Sequence, residues 1–163
     1  MNVWLPKYEG YDHINIYSKS KLKLGRSLAS SFHSVFIHPE YGMFRSIDGF
    51  YFWLLTGRLY PELKKLHGYK ASEFGKKKHK AIKIDKKFKE EIQAAICYKI
   101  MQNQYIQELL IDSELPLTCY YYYGEAMHEP KVYDQYKKND YIVHAIEEIR
   151  IRLKSGGKIP SKT

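Results

Sequence analysis

The stretch from Asp85 to Ile100 constrains the fold of this chain more than any other. Phe88, Ile92, Ala95, Ile96 and Ile100 recur at helical spacing and form one apolar stripe, the pattern of a helix buried along one face. One charge interrupts the stripe. Lys99 lies three residues after Ile96 on the same face, although the helix offers lysine many outward positions. A buried ammonium must be paired or neutralised, because its desolvation is costly. Two readings follow. Lys99 snorkels to the surface or pairs structurally with a carboxylate. Alternatively it faces a cleft, where it binds phosphate or, deprotonated, attacks a sugar carbon to form a Schiff base.

Around this helix the chain reads as α+β, a predominantly helical single domain over residues 1–153 with a small β-sheet and a flexible basic tail from Lys154 to Thr163. A chain of 163 residues is long enough for one core that buries roughly 70% of the surface exposed when unfolded. Ile14–Tyr17 alternates weakly as a strand. Val35–His38 and Met43–Ser46 flank Pro39-Glu40-Tyr41-Gly42 as a hairpin. Ser46 is an N-cap for a helix running to Thr56, with Gly57 as its stop. Pro61–Leu66 reads as a short helix ended by Gly68, and Tyr69–Lys77 as another. Tyr105, Ile106, Leu109 and Leu110 mark a further helical segment, and Leu115–Tyr123 reads as one strand. A closing helix within Tyr133–Leu153 places Ile142, Ile146, Ile149 and Leu153 on one face.

The formal charge is +9, and much of the excess lies in Gly75–Lys89. Lys76, Lys77, Lys78 and Lys80 are candidates for contacts to nucleic-acid phosphates, which lysine attracts without reading sequence. A solvated lysine-rich face is the plain alternative. The cysteines, Cys97 and Cys119, have no metal-ligand spacing and form no disulfide framework, which points to a reducing cytoplasm. The seven histidines show no metal spacing either, so no metal and no cofactor is expected. No apolar run approaches the ~20 residues that span a bilayer, and no membrane partner is expected. Walker, dinucleotide-binding and nucleophile-elbow motifs are missing.

Gly25–Trp53 holds a loop of small polar residues, Ser27–Ser34, with Arg26 at its edge. After the hairpin comes a single acid, Asp48, at the head of an aromatic helix. An acid in a first turn is stabilised by free N–H groups, so capping alone accounts for it. A carboxylate beside a ribose anomeric carbon accounts for it equally well, because it stabilises oxocarbenium character there. Tyr120–Tyr123 should alternate in a strand, two inward and two outward. The outward pair is either an ordinary aromatic surface or a platform for stacking bases. Arg26 and Arg45 suit a pyrophosphate, and His33 a hydrogen-bonding role in the loop.

These pieces, in order, resemble the NADAR family, N-glycosidases of ADP-ribose and related ribosides. Leu28-Ala29-Ser30-Ser31-Phe32 stands where the family has a Ser-Asn-Phe loop, and Ser46–Trp53 where it has a Glu-led helix start, with Asp48 for Glu. Ala95–Ile100 is similar to an Ala-Leu-x-x-Lys-Phe pattern, and Tyr122-Tyr123-Gly124-Glu125 to a Tyr-Trp-Gly-Asp segment. Residues 14–153 carry the likeness, and Leu115–Thr118, Glu129–Lys131 and Ala145–Arg150 resemble the phage-borne branch. The resemblance implies removal of ADP-ribose from guanine in DNA, reversing a DNA-modifying toxin in a host cytoplasm. Asp48 and Lys99 would then be catalytic, with Arg26, Ser30, Ser31, His33, Arg45, Trp53, Tyr122, Tyr123 and Gly124 lining the substrate pocket. The alternatives are an N-glycosidase for a small ADP-ribosyl or ribosyl-phosphate metabolite and a non-catalytic binder of ADP-ribose or modified DNA. ADP-ribosylated DNA is the expected partner.

Overall fold

A computed structural model describes residues 4–78, 82–125, 131–134 and 136–156. Six helices are described: α1 (Lys23–Leu28), α2 (Ile47–Leu55), α3 (Gly68–Lys78), α4 (Lys86–Met101), α5 (Gln104–Ile111) and α6 (Tyr136–Lys154). Single 3₁₀ turns lie at Pro6–Tyr8 and Pro61–Lys65. The strands are β1 (Ile14–Asn15), β2 (Phe36–His38), β3 (Gly42–Phe44), β4 (Leu117–Thr118), β5 (Tyr120–Tyr123) and β6 (Lys131–Asp134). They form three two-stranded pieces rather than one small sheet: β1 with β4 in parallel, and β2–β3 and β5–β6 antiparallel.

Capping side chains start the central helices where the sequence puts them. Ser46 Oγ accepts from Gly49 N–H at 2.9 Å, and Asp85 Oδ1 from Phe88 N–H at 2.9 Å. Asn103 Oδ1 does the same for Ile106 N–H at 3.2 Å, separating α5 from α4. Gly57 follows α2 at φ +78°, a left-handed conformation that glycine adopts without strain. Each such cap typically contributes about 1 kcal/mol.

Helix α4 is the spine, packed against α2, α5, α6 and β2. Phe88, Ile92, Ala95, Ile96 and Ile100 are all buried in the core, as their spacing requires. The other half of the core is aromatic. Phe36, Phe44, Phe50 and Trp53 interlock edge-to-face and stacked, at centroid separations of 5.0–6.2 Å. Helix α3 lies against α2 because Gly75 has no side chain. A Cβ there would sit 2.3 Å from the Phe52 ring.

Three further expectations need correction. Leu115–Tyr123 is two strands, broken at Cys119, that join different pairs. The side-chain amide of Asn15 explains the break: Oδ1 accepts from Tyr120 N–H at 2.9 Å and Nδ2 donates to Tyr120 O at 2.8 Å, turning the chain out of register with β1. Gly68 begins α3 instead of closing the preceding turn. The closing helix expected within 133–153 is α6, which follows β6. Lys154 is helical, its ammonium on Glu114 at 2.9 Å, and of the expected tail only 154–156 are described.

Candidate active site

The site is organised by the loop after α1. Three successive carbonyls of that loop are each taken by a different helix. Ala29 O accepts from Lys99 Nζ of α4 at 3.1 Å. Ser30 O accepts from Asp48 N–H of α2 at 2.9 Å, and Ser31 O from Gly68 N–H of α3 at 3.0 Å. The loop therefore converges α2, α3 and α4 on one point, and Asp48 and Lys99 meet there.

Lys99 is 1% exposed and its ammonium lies 5.7 Å from the Phe32 ring. It does not snorkel. Burial lowers its pKa to about 7, against the opposing pull of the Asp48 carboxylate. Asp48 is half-buried, and desolvation raises its pKa to about 6 in spite of Lys99 and Lys76, which favour the charged form. Among the described residues no protein group donates to the Asp48 carboxylate, so the pair is linked by charge across a gap. Tyr51, one turn on from Asp48, is half-buried, and burial together with the Asp48 charge raises its pKa. Phe88 meets Tyr51 edge-on at 5.3 Å. Beyond them lies a shallow groove of about 370 Å³, lined by Lys86, Lys89, Gln93 and Tyr141 among others.

Sequence reasoning did not single out Tyr51 or Phe32. The signal for Tyr51 was its position three residues after Asp48 on the same helix face. Ser30 and Ser31 line this point through their carbonyls. Lys76 is carried toward Asp48 by the close approach at Gly75, and Lys77 and Lys78 are exposed beside it. Lys80 lies outside the described residues.

Other candidates are placed elsewhere. The guanidinium of Arg26 donates to Ser20 O at 2.7 Å, a structural tie. Trp53 sits in the aromatic core, about 140° round the helix from Asp48. Arg58 and Lys64 lie over its ring at 5.6 and 5.0 Å. Arg45 and His33 are exposed on the outer side of the loop. Along β5, Tyr120 and Tyr122 are buried while Tyr121 and Tyr123 face out, the alternation that a strand imposes. Tyr17 stacks on Tyr121 at 6.3 Å and meets Tyr122 edge-on at 5.6 Å, and Gly124 turns the chain at φ +94°. Cys119 lies between β4 and the tyrosine strand β5. Its thiol receives Asn139 Nδ2 at 3.8 Å, and burial pushes its pKa up to about 11, which makes it inert.

Among the described residues, no cluster of His, Cys, Asp and Glu could hold a metal ion, and no helix is long and apolar enough to cross a membrane. Comparison with protein-family models, with curated proteins and with solved structures finds no match to this chain.

Proposed function

We propose that the chain is an N-glycosidase of the NADAR kind, which removes ADP-ribose from a modified base, with ADP-ribosylated guanine in DNA as its substrate. The observation that carries this reading is the meeting of Asp48 and Lys99 under a loop whose three carbonyls are pinned by three helices. Desolvation is costly for both charges, and the Lys99 bond to Ala29 O leaves the Asp48 carboxylate without a donor among the described residues. Such pairs mark sites of chemistry.

The reaction breaks the bond between the ribose anomeric carbon and the base nitrogen. The bonding pair leaves with the base, positive charge builds on the sugar carbon, and water supplies the hydroxyl that ends there and the proton that the base nitrogen takes up. The Asp48 carboxylate stabilises that charge and steers the water. Aspartate reaches one methylene less far than glutamate, and the Ser30 carbonyl that holds the Asp48 backbone fixes where the shorter side chain is presented. Lys99, as an ammonium, binds a phosphate oxygen of ADP-ribose. Tyr51 closes the pocket wall, and the exposed lysines at the end of α3 favour a polyanionic substrate.

The test is incubation with an oligonucleotide bearing ADP-ribosylated guanine, followed by mass. Loss of the ADP-ribosyl mass with guanine intact is the expected result; an unchanged mass overturns the activity. The pH profile of that rate then assigns Lys99. A working carboxylate and ammonium give a narrow bell with apparent limbs near 6 and 7 that belong to the pair. A rate that holds above the upper limb assigns Lys99 as a free amine that attacks the sugar.

A further inference from the structure

On the outer side of the same loop two imidazoles lie face to face. His33 and His67 stack with centroids 4.2 Å apart and planes 6° from parallel, and both are exposed. The backbone holds them there. Ser31 O receives Gly68 N–H at 3.0 Å, which brings the residues flanking that bond, His33 and His67, to one place. Arg45 O accepts from Ser34 N–H at 3.0 Å, setting Arg45 next to His33, and Lys70 follows two residues into α3. Burial lowers the His67 pKa, and the charges of His33, Arg45 and Lys70, all of one sign, lower it further. Among the described residues, no carboxylate is among the charges that act on His67, and a like-charged positive cluster suits an anion. Exposed imidazole N–H groups and a guanidinium are donors that suit the oxygens of a phosphate.

We propose that His33, His67, Arg45 and Lys70 bind a backbone phosphate of the nucleic acid that carries the modified base. This rests on the reading of the substrate as DNA. Helix α3 starts at this cluster and ends at Lys76–Lys78, about 15 Å away, with Lys76 acting on Asp48. A strand laid along α3 meets positive charge at both ends and presents a base beside Asp48.

Imidazole resonances of the full chain, followed by NMR at about pH 6, test this. The probes are a short unmodified DNA oligonucleotide and free ADP-ribose. The oligonucleotide should shift both His33 and His67, and ADP-ribose should leave them in place. A H33Q/H67Q double variant, matched to the parent in thermal unfolding, should bind the oligonucleotide about tenfold more weakly, with a log–log salt slope shallower by about one. Shifts with ADP-ribose but not with DNA overturn the assignment to the backbone. No shift with either overturns the site. Unmodified DNA needs no turnover, so the site can fail while base release is observed, and base release can fail while the shifts are observed.

Discussion

Two carboxylates in this protein are withdrawn from water in opposite ways. Glu9 is 5% exposed and accepts three hydrogen bonds. Its Oε2 accepts from Asn15 N–H at 2.6 Å and Ser20 Oγ at 2.8 Å, and its Oε1 from Lys21 N–H at 2.8 Å. Asp48 has a cation near it and, among the described residues, no donor on its carboxylate. Glu9 ties the chain before β1 to the loop before α1 through three donors. The lone pairs of Asp48 are left unspent by the described residues. A buried acid is a functional candidate when its hydrogen-bonding capacity is unspent, and burial alone does not make it one.

The contrast predicts a ranking of stability effects. Glu9→Ala leaves three donors without their acceptor and should cost about 3–5 kcal/mol in urea unfolding. A loss below about 1 kcal/mol would show that the network is not holding the fold. The next effect is pH-dependent. The Lys99 pKa falls from 10.5 unfolded to about 7 folded, so the unfolded chain binds more protons between those values and stability should rise with pH across that window. The Asp48 pKa rises from 3.8 to about 6, so the folded chain binds more protons there and stability should fall as pH rises through that window. Each amounts to a few kcal/mol at most. Thermal unfolding against pH reads both limbs, and Lys99→Met should abolish the alkaline rise.

Gly75→Ala tests what brings Lys76 to Asp48. A methyl group pressed into the Phe52 ring should cost about 1–3 kcal/mol and push α3 outward. Asp48→Asn should have the smallest effect on stability, within about 1 kcal/mol near neutral pH, while base release falls on the order of 100-fold or more. Full activity in a folded Asp48→Asn protein would remove Asp48 from the chemistry.

The local half of this architecture is legible in the sequence. Ser46 acts within three residues of itself and was read as a cap, Asp85 and Asn103 act as locally but were not, and the stripe from Phe88 to Ile100 announces its own burial. Lys99 stood out because it breaks that stripe. The break at Cys119 was not legible, because it depends on Asn15, more than a hundred residues away in the chain. The Glu9 network was missed for the same reason, since its partners are spread through a segment without periodicity. Tyr17, which joins the tyrosines of β5, gives no local signal either.

The account stands on Asp48 and Lys99 sensing each other. Carbon-13 NMR titration of the Asp48 carboxyl, in the parent and in Lys99→Met, measures that directly. The account predicts a midpoint near 6 in the parent and a higher one in the variant, where the carboxylate loses its cation. A midpoint near the ordinary aspartate value, unmoved by the substitution, would contradict it.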